Sequence, residues 1–331
     1  MQIKKNRYLI IQTAFLGDVI LSTALIECIK EEEPDAEIDF LIRQGNESVL
    51  DTNSKVRKLW VWNKNEKKYL NLFKLLLLIR KEQYDQVFNI QRYFSTGLFT
   101  ALSRAKKTTG YTNSLLSLFF SEKILYESNK HETLRVISLY KKDAKSIIRP
   151  KLYLPEQVYQ NVEELTKCEA YITVFPSSKW HTKQYPENKW IELIDSLNPK
   201  YKVYLMGGSE DYEICKRILA QSKNKRVFNL VNQVNFHEAA ALVEKAALNF
   251  SSDSAPTHIA SAMNAPITTI FCSTIPAFGF YPISDVSHII ESEKALNCRP
   301  CGIHGQKKCP LGHFECAVTI DNKQLLDTMP I

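Results

Sequence analysis

The chain has 331 residues, enough for about two domains, and an apolar fraction of 44% that is typical of a globular protein. No stretch approaches the ~20 apolar residues of a spanning helix, and the apolar run Tyr8–Ile11 is too short for a secretory signal. Eight cysteines without such a signal favour a reduced cytoplasmic protein over a disulfide scaffold.

The first half of the chain predicts alternating strands and helices. Tyr8–Gln12 is a short apolar strand, residues 13–18 form a loop, and Val19–Lys30 is a helix ended by Pro34. This β-loop-α-β start indicates a doubly wound sheet. Further strands are predicted at Ile38–Ile42, Lys58–Trp62 and Gln86–Ile90, and helices at Lys67–Glu82, Thr96–Arg104 and from His131 onward.

Charge and apolar runs single out two stretches of this half. Residues 1–165 carry 26 basic and 20 acidic residues, so most of the net charge of +7 lies here. This excess suggests an anionic partner, although ordinary solvated lysines explain it as well. Leu115–Phe120 lies near the basic residues Arg104, Lys106 and Lys107. We expect it to be core, because exposed apolar patches are uncommon; a membrane-facing patch is the alternative.

The second half repeats the alternation after a proline-containing linker at Pro150–Pro155, so the predicted domains are 1–155 and 156–331. The two halves of the chain would thus form two nucleotide-fold domains that hold a ligand in the cleft between them. Gly207-Gly208 is a turn signal without the dinucleotide fingerprint. Strands are predicted at Ala170–Phe175, Lys202–Met206, Val227–Leu230 and Ile267–Phe271, and helices at Glu156–Lys167, Trp190–Leu197 and His237–Lys245.

Residues 248–262 form the stretch around which the chain is organised. Ala246–Phe250 is predicted as a buried strand, Ser251–Ser254 as a helix cap that accepts backbone N–H bonds, and Pro256 as the first helical residue. The resulting helix N-terminus would offer N–H groups and a positive dipole end to a pyrophosphate. An ordinary capped helix is the simpler interpretation.

Two further positions have both a structural and a functional interpretation. Asp18 is either a first-turn acid of the helix or a carboxylate at the edge where open sheets place ligands. Lys179 and Lys183, in the polar loop 176–186, are either solvated or available to phosphate oxygens.

The cysteines fall into two groups. Cys298, Cys301, Cys309 and Cys316 have C-x2-C-x7-C-x6-C spacing and could hold a structural zinc ion, although free thiols or adventitious disulfides are alternatives. The other four, Cys28, Cys168, Cys215 and Cys272, are expected to be small core residues.

Several of these stretches, in this order, resemble glycosyltransferase family 9, the ADP-heptose:lipopolysaccharide heptosyltransferases. The matching stretches are Gln12–Ile20, His131–Arg135, Lys183–Pro186, Gly207-Gly208 and Asp253–His258. The resemblance implies a GT-B fold of two facing Rossmann-like domains with an interdomain cleft. The first domain would bind an anionic, lipid-linked saccharide acceptor and the second a nucleotide sugar.

The resemblance also implies an inverting transfer of heptose from ADP-heptose, without a catalytic metal or other cofactor, at the cytoplasmic face of the inner membrane. Asp18 would be the general base, and Lys183 would stabilise the diphosphate. The acceptor would contact Arg92, His131 and Arg135. The donor would contact Thr13, Gly17, Ser178, Lys183, Glu210, Asp253, Ser254, Ala255 and His258.

The resemblance leaves the exact donor open. The family often has glycine where this chain has Ala255, and proline where it has Ala24. A related enzyme that uses another nucleotide sugar is therefore an alternative, as is an epimerase-like or sugar-binding relative that would not need Asp18. A zinc-stabilised nucleic-acid-binding protein is less favoured, because the basic residues are not interleaved with aromatic residues on one strand; no nucleic-acid partner is expected.

Overall fold

A computed structural model describes residues 5–330 of the chain. The chain divides into two compact units, Met1–Tyr153 and Leu154–Ile331. Each unit is built on one six-stranded sheet whose strands are all parallel. The alternation of strands and helices predicted from the sequence is therefore present in both halves.

In the first unit the sheet order is β3-β2-β1-β4-β5-β6. Its helices are α1 (Leu16–Glu32), α2 (Lys68–Lys81), α3 (Phe94–Leu102) and α4 (Glu132–Ser138). The four predicted strands are confirmed, whereas β5 and β6 were not predicted. The strands are β1 (Arg7–Ile11), β2 (Glu37–Arg43), β3 (Val56–Trp62), β4 (Gln86–Asn89), β5 (Lys107–Tyr111) and β6 (Glu122–Ile124).

In the second unit the sheet order is β12-β11-β10-β7-β8-β9, the same arrangement as in the first when each unit is counted from its own first strand. The strands are β7 (Tyr171–Phe175), β8 (Lys202–Leu205), β9 (Val227–Asn229), β10 (Leu248–Ser252), β11 (Ile267–Phe271) and β12 (Ser287–Glu291). The helices are α5 (Glu156–Thr166), α6 (Glu187–Ser196), α7 (Tyr212–Gln221), α8 (Phe236–Lys245), α9 (Ala255–Met263), α10 (Glu315–Val318) and α11 (Asn322–Leu326).

Both sheets therefore have the doubly wound order in which the connections leave the centre in opposite directions. The first and fourth strands of each unit are neighbours: β1 pairs with β4, and β7 with β10. In open sheets of this kind, ligands bind outside the carboxyl ends of these central strands. The loops after β1, β4, β7 and β10 are thus the expected site positions.

Alternation along β1 directs its side chains into two separate layers of core. Leu9 and Ile11 are fully buried in one cluster with Leu72 and Leu76 of α2. The intervening residues point to the opposite face, where the Tyr8 ring lies 6.2 Å from that of Tyr140, just after α4. Helices α2 and α3 therefore cover one face of the sheet, and α1 and α4 cover the other.

Two burial predictions are wrong. Of the apolar run 115–120, Phe120 is buried, but Leu115, Leu118 and Phe119 are strongly exposed, because the run forms a short turn at the surface and not a buried element. Cys168 is exposed as well, since it follows the helix α5 in a left-handed turn (φ 56°). Cys28, Cys215 and Cys272 are buried as predicted. None of the helices within residues 5–330 combines the length and apolarity needed to cross a bilayer.

Candidate active site

The loop after β1 delivers Asp18 to the carboxyl edge of the first sheet. Helix α1 begins at Leu16, so Asp18 lies third in its first turn, directly after Gly17. The Asp18 carboxylate accepts the Phe15 N–H at 3.2 Å. The prediction of a first-turn acid is confirmed, and the same position places a partly buried carboxylate where a ligand is expected in this fold.

Thr13, in the same loop, links β1 to the end of β4. Its hydroxyl donates to Gln91 Oε1 at 2.7 Å, and Lys64 Nζ donates to the Thr13 carbonyl at 2.7 Å and hydroxyl at 2.9 Å. Burial lowers the pKa of Lys64 to about 8, with help from the charges of Arg43 and Lys68. The Thr13 side chain is therefore committed to bonds within the first unit, which fixes the loop that carries Asp18.

Two of the three predicted acceptor residues, Arg92 and Arg135, lie over the ring of Tyr126. The Arg92 guanidinium carbon is 4.3 Å from the ring centroid, and that of Arg135 is 4.9 Å from it. His131 has a structural role as the N-cap of α4, where its Nδ1 accepts the Thr133 N–H at 3.2 Å. Two guanidiniums are thus held by one aromatic ring. Arg135 is buried and bonded to Glu132 and to the Ser128 carbonyl, so the exposed Arg92 is the guanidinium available to a carboxylate or phosphate.

Glu132 connects this cluster to Asp18 and was not predicted as a site residue. It is buried, and its Oε2 accepts from Arg135 Nε at 2.6 Å. Burial raises the pKa of Glu132 to about 7; Arg135 opposes that rise, and the Asp18 charge adds to it. The charge of Asp18 also acts on Tyr126. Asp18, Glu132, Tyr126 and the two arginines therefore form one electrostatic group in the first unit.

Glu132→Gln should change how stability depends on pH. With a folded pKa near 7 against an ordinary 4.5, the folded protein holds the proton more tightly than the unfolded chain. As pH rises from 4.5 to about 7, the free energy of unfolding of the wild type should therefore fall relative to that of the variant, by about 3 kcal/mol in total. Urea unfolding of both proteins across the window measures this.

The matched control for this experiment is Glu127→Gln, which removes an exposed carboxylate paired with Lys130. It should leave the pH dependence of the wild type unchanged. Parallel stability curves for wild type and Glu132→Gln would show that Glu132 does not take up its proton in this range.

In the second unit the residues after β7 and β10 meet in an ion pair. Lys183 Nζ lies 2.7 Å from Asp253 Oδ2, and the side chains are only 14% and 6% exposed. Thr274 donates its hydroxyl to the same carboxylate oxygen at 2.6 Å. A lysine held in this way is a fixed cation at the position of this sheet where ligands are expected.

The turn that carries Lys183 is fastened by the tail of the chain, a contact that sequence analysis missed. The Thr182 N–H donates to the Gln306 carbonyl at 3.1 Å, and the Gln306 N–H donates to the Thr182 hydroxyl at 2.7 Å. Gly305 has φ 73°, and a Cβ there would come within 2.9 Å of Lys183 Cγ. Only glycine fits both the backbone conformation and the space beside the lysine.

Helix α9 begins beside this ion pair, with two differences from prediction. The helix starts at Ala255, so Pro256 is its second residue, not its first. Ser254 is the N-cap, but its hydroxyl donates to the Ser252 carbonyl at 3.0 Å and accepts no cap bond from the helix. The predicted serine cap is wrong at this position, because the hydroxyl turns back to the strand. Pro256 has no N–H, and the Thr257 N–H donates to the Ser254 carbonyl at 3.1 Å. What α9 offers an anion here is therefore chiefly the positive end of its dipole.

The remaining predicted donor residues are distributed around this edge. His258 is buried in α9, with its ring 6.4 Å from that of Phe280. Ser178, in the loop after β7, accepts from Gln184 through its carbonyl at 2.6 Å. Glu210 is exposed in the short turn that follows Gly207-Gly208. The structure thus gathers Lys183, Asp253, Ser254 and Ala255 tightly and leaves Glu210 at the surface.

The four tail cysteines are close enough to affect one another. Burial raises the pKa of Cys316 to about 11, and the thiols of Cys301, Cys309 and Cys298 contribute to that rise. Burial acts in the same direction on Cys309, but backbone N–H donors at residues 311–314 outweigh it and lower the pKa. Within residues 5–330, however, no three or more His, Cys, Asp or Glu side chains are arranged to hold a metal ion. Zinc binding stays a prediction.

Two parallel sheets of doubly wound order, each with charged side chains at its central carboxyl edge, define a protein of the GT-B fold. The sequence profile of glycosyltransferase family 9 (heptosyltransferase) matches residues 72–312. The chain therefore belongs to glycosyltransferase family 9 and is an enzyme that transfers a glycosyl group.

Individual relatives agree with this assignment. Lipopolysaccharide heptosyltransferase 3 of Escherichia coli is 29% identical over 283 residues, which cover 78% of this chain and 82% of the relative. The E. coli ADP-heptose lipopolysaccharide heptosyltransferase II structure superposes with a TM-score of 0.80 at 19% identity and covers 97% of both chains. E. coli heptosyltransferase WaaC, solved with ADP, has a TM-score of 0.71 at 19% identity and covers 86% of this chain and 93% of its own.

Proposed function

We propose that this glycosyltransferase transfers heptose from ADP-heptose to a Kdo- or heptose-bearing acceptor of the lipopolysaccharide core, with inversion at the anomeric carbon. The names of the relatives support this donor and this acceptor class. The observation that carries the proposal is the position of Asp18, a carboxylate at the carboxyl edge of β1 in electrostatic contact with Glu132 and Tyr126.

The first unit binds the acceptor. Arg92 and Arg135 flank Tyr126 with two guanidiniums, and guanidiniums recognise carboxylate and phosphate groups through paired hydrogen bonds. Core acceptors carry such groups on their sugars. Arg135 already pairs with Glu132, so Arg92 is the guanidinium that a neutral saccharide acceptor would desolvate without giving it a partner.

The reaction is a single displacement at the sugar C1. Asp18 accepts the proton of the acceptor hydroxyl while that oxygen bonds to C1, and the bond from C1 to the ADP oxygen breaks on the opposite side. ADP leaves with the bonding electrons, and the attack from the opposite face gives inversion. No metal ion or other cofactor takes part in these steps.

The second unit binds the donor and stabilises the departing diphosphate. Lys183 supplies a fixed cation, and the N-terminus of α9 supplies the positive end of a helix dipole. Asp253 is anionic, so it orients Lys183 and binds sugar hydroxyls, not phosphate. His258 supports the turn beside the diphosphate, and Glu210 contacts the nucleoside.

A donor panel tests this proposal. The full chain, incubated with ADP-heptose and a Kdo-bearing lipid acceptor, should release ADP and add heptose in the configuration opposite to that of the donor, as read by NMR. ADP-glucose, UDP-glucose and GDP-mannose are the matched donors. Turnover with one of these and not with ADP-heptose would establish the alternative, a family 9 enzyme with another nucleotide sugar. Retained configuration would exclude the single displacement.

A further inference from the structure

The outer face of α2 exposes several large apolar side chains. The helix packs inward through Leu72, Leu76 and Ile79, which are buried. On its other sides, five large apolar side chains are between 47% and 60% exposed: Tyr69, Leu70, Phe73, Leu77 and Leu78. Residues at i, i+3, i+4 and i+7 share a helix face, so Leu70, Phe73 and Leu77 form one continuous exposed stripe.

The turn at residues 115–119 exposes a second group of apolar side chains. Leu118 is 85% exposed, the largest value among the exposed apolar residues of the described chain, and Leu115 and Phe119 are also strongly exposed. The turn lies against α3, because a Cβ on Gly97 would come within 2.9 Å of Leu116 Cβ. Helix α3 packs in turn on α2, on the same face of the sheet. The turn, α3 and α2 are therefore successive neighbours, and each exposes large apolar side chains, with Phe94 and Leu102 on α3.

A surface of this kind is covered by a partner in most proteins, and its charge indicates which. Residues 67–81 contain five basic residues, Lys67, Lys68, Lys74, Arg80 and Lys81, and no acidic residue. Lysines beside an exposed apolar stripe can extend their amines to phosphate headgroups while their stems cover apolar surface. A second copy of the chain would bring two such basic helices together, which like-charge repulsion disfavours.

We infer that the outer face of α2, together with residues 115–119, docks on an anionic lipid bilayer. Phe73, Leu77 and Leu118 enter the boundary between headgroups and acyl chains, and the lysines of α2 lie at the headgroups. The inference rests on the proposed function in one respect, since a lipid-linked acceptor lies in such a bilayer. It deepens that proposal by assigning the contact to a specific surface, which binds lipid whether or not the acceptor is present.

Vesicle flotation with the full chain tests the inference. The wild type should float with phosphatidylcholine vesicles that contain phosphatidylglycerol and remain behind with phosphatidylcholine alone. Phe73→Ser/Leu77→Ser should weaken vesicle binding by about tenfold or more, because two apolar side chains that would enter the bilayer are lost. Lys74→Glu/Lys81→Glu should weaken vesicle binding by a similar factor at low salt. At high salt the factor should be smaller, because salt screens the attraction between lysines and headgroups.

The matched control is Lys216→Glu/Leu219→Ser on α7 of the second unit, where Leu219 is also exposed. This variant should bind vesicles like the wild type. All variants change exposed side chains, so each should keep the melting temperature of the wild type and its rate on a water-soluble, deacylated acceptor. That rate tests the proposed function separately, since it needs no bilayer.

Three results would overturn the inference: no flotation of the wild type with anionic vesicles, equal flotation of the α2 variants, or a wild-type dimer in sedimentation equilibrium that the α2 substitutions dissociate. The last would assign the surface to a second copy of the chain. If the wild type binds anionic vesicles but transfers no heptose to the soluble acceptor, the proposed function is contradicted and the inference about α2 is not.

Discussion

Asp18→Asn should lower kcat by about 10²- to 10⁴-fold, the usual contribution of a general base, and leave ADP binding unchanged. The amide cannot take up the proton of the acceptor hydroxyl at neutral pH. It can still accept the Phe15 N–H that the carboxylate holds at 3.2 Å, so the start of α1 is preserved. The measurement is steady-state transfer to the acceptor, with ADP affinity by calorimetry.

Asp18→Ala is the companion variant, because it removes both the base and the helix-start hydrogen bond. It should match Asp18→Asn in kcat and be less stable by about 1 kcal/mol. Turnover near the wild-type rate in Asp18→Asn would remove Asp18 as the base. If kcat falls in Asp18→Ala but not in Asp18→Asn, the role of Asp18 is to hold the start of α1 and not to accept the proton.

Lys183→Met should destabilise the second unit and weaken ADP binding. Asp253 is almost fully buried, and removal of one partner from a buried ion pair costs about 3–5 kcal/mol because the other charge is left uncompensated. In the proposed function, the lysine also contacts the diphosphate. Loss of a hydrogen bond to a charged group should then reduce ADP affinity by about 10- to 100-fold.

The double variant Lys183→Met/Asp253→Asn separates these two effects. It removes the stranded charge, and the oxygen of the introduced amide can still accept from the Thr274 hydroxyl that now bonds to Asp253. Most of the lost stability should return, measured by urea unfolding, while ADP affinity stays low. Recovery of both would mean that Lys183 serves only the ion pair and that the diphosphate is bound by other groups.

The fold was largely predictable because the central strands are short apolar runs followed by turn residues. β1, β2, β10 and β11 are buried along most of their length and are clearly recognisable in the sequence. β5 and β6 have the sequences Lys-Thr-Thr-Gly-Tyr and Glu-Lys-Ile, without an apolar run, and they form only because neighbouring strands supply pairing partners. Strand propensity depends strongly on such context.

The residues of the candidate site were predictable only where they lie within a recognisable sequence motif. Asp18, Lys183 and Asp253 stand in recognisable stretches at the ends of strands. Glu132 carries one local signal, its position three residues before Arg135, but its burial near Asp18 follows from packing of α4 on α1. The position of Tyr126 beside Arg92 joins residues far apart in the chain, and no periodicity reports such a contact.

The run 115–120 shows the converse limit. An apolar segment indicates burial when it belongs to a strand or helix with a buried face, but this run forms a surface turn that buries only Phe120. Membrane contact was the alternative prediction there, because a core segment and a membrane-facing segment have the same composition. Exposure in the folded unit, and not hydrophobicity, distinguishes them.

The bonds between Thr182 and Gln306 have a thermodynamic consequence for donor binding. They tie the lysine-bearing turn to a segment 124 residues later in the chain, so the turn is ordered when the second unit folds. The entropy of immobilising that loop is then lost during folding and not on ligand capture, which is preorganisation. In the proposed function, in which Lys183 contacts the diphosphate, the tail would thereby contribute to affinity for the nucleotide without having to touch it.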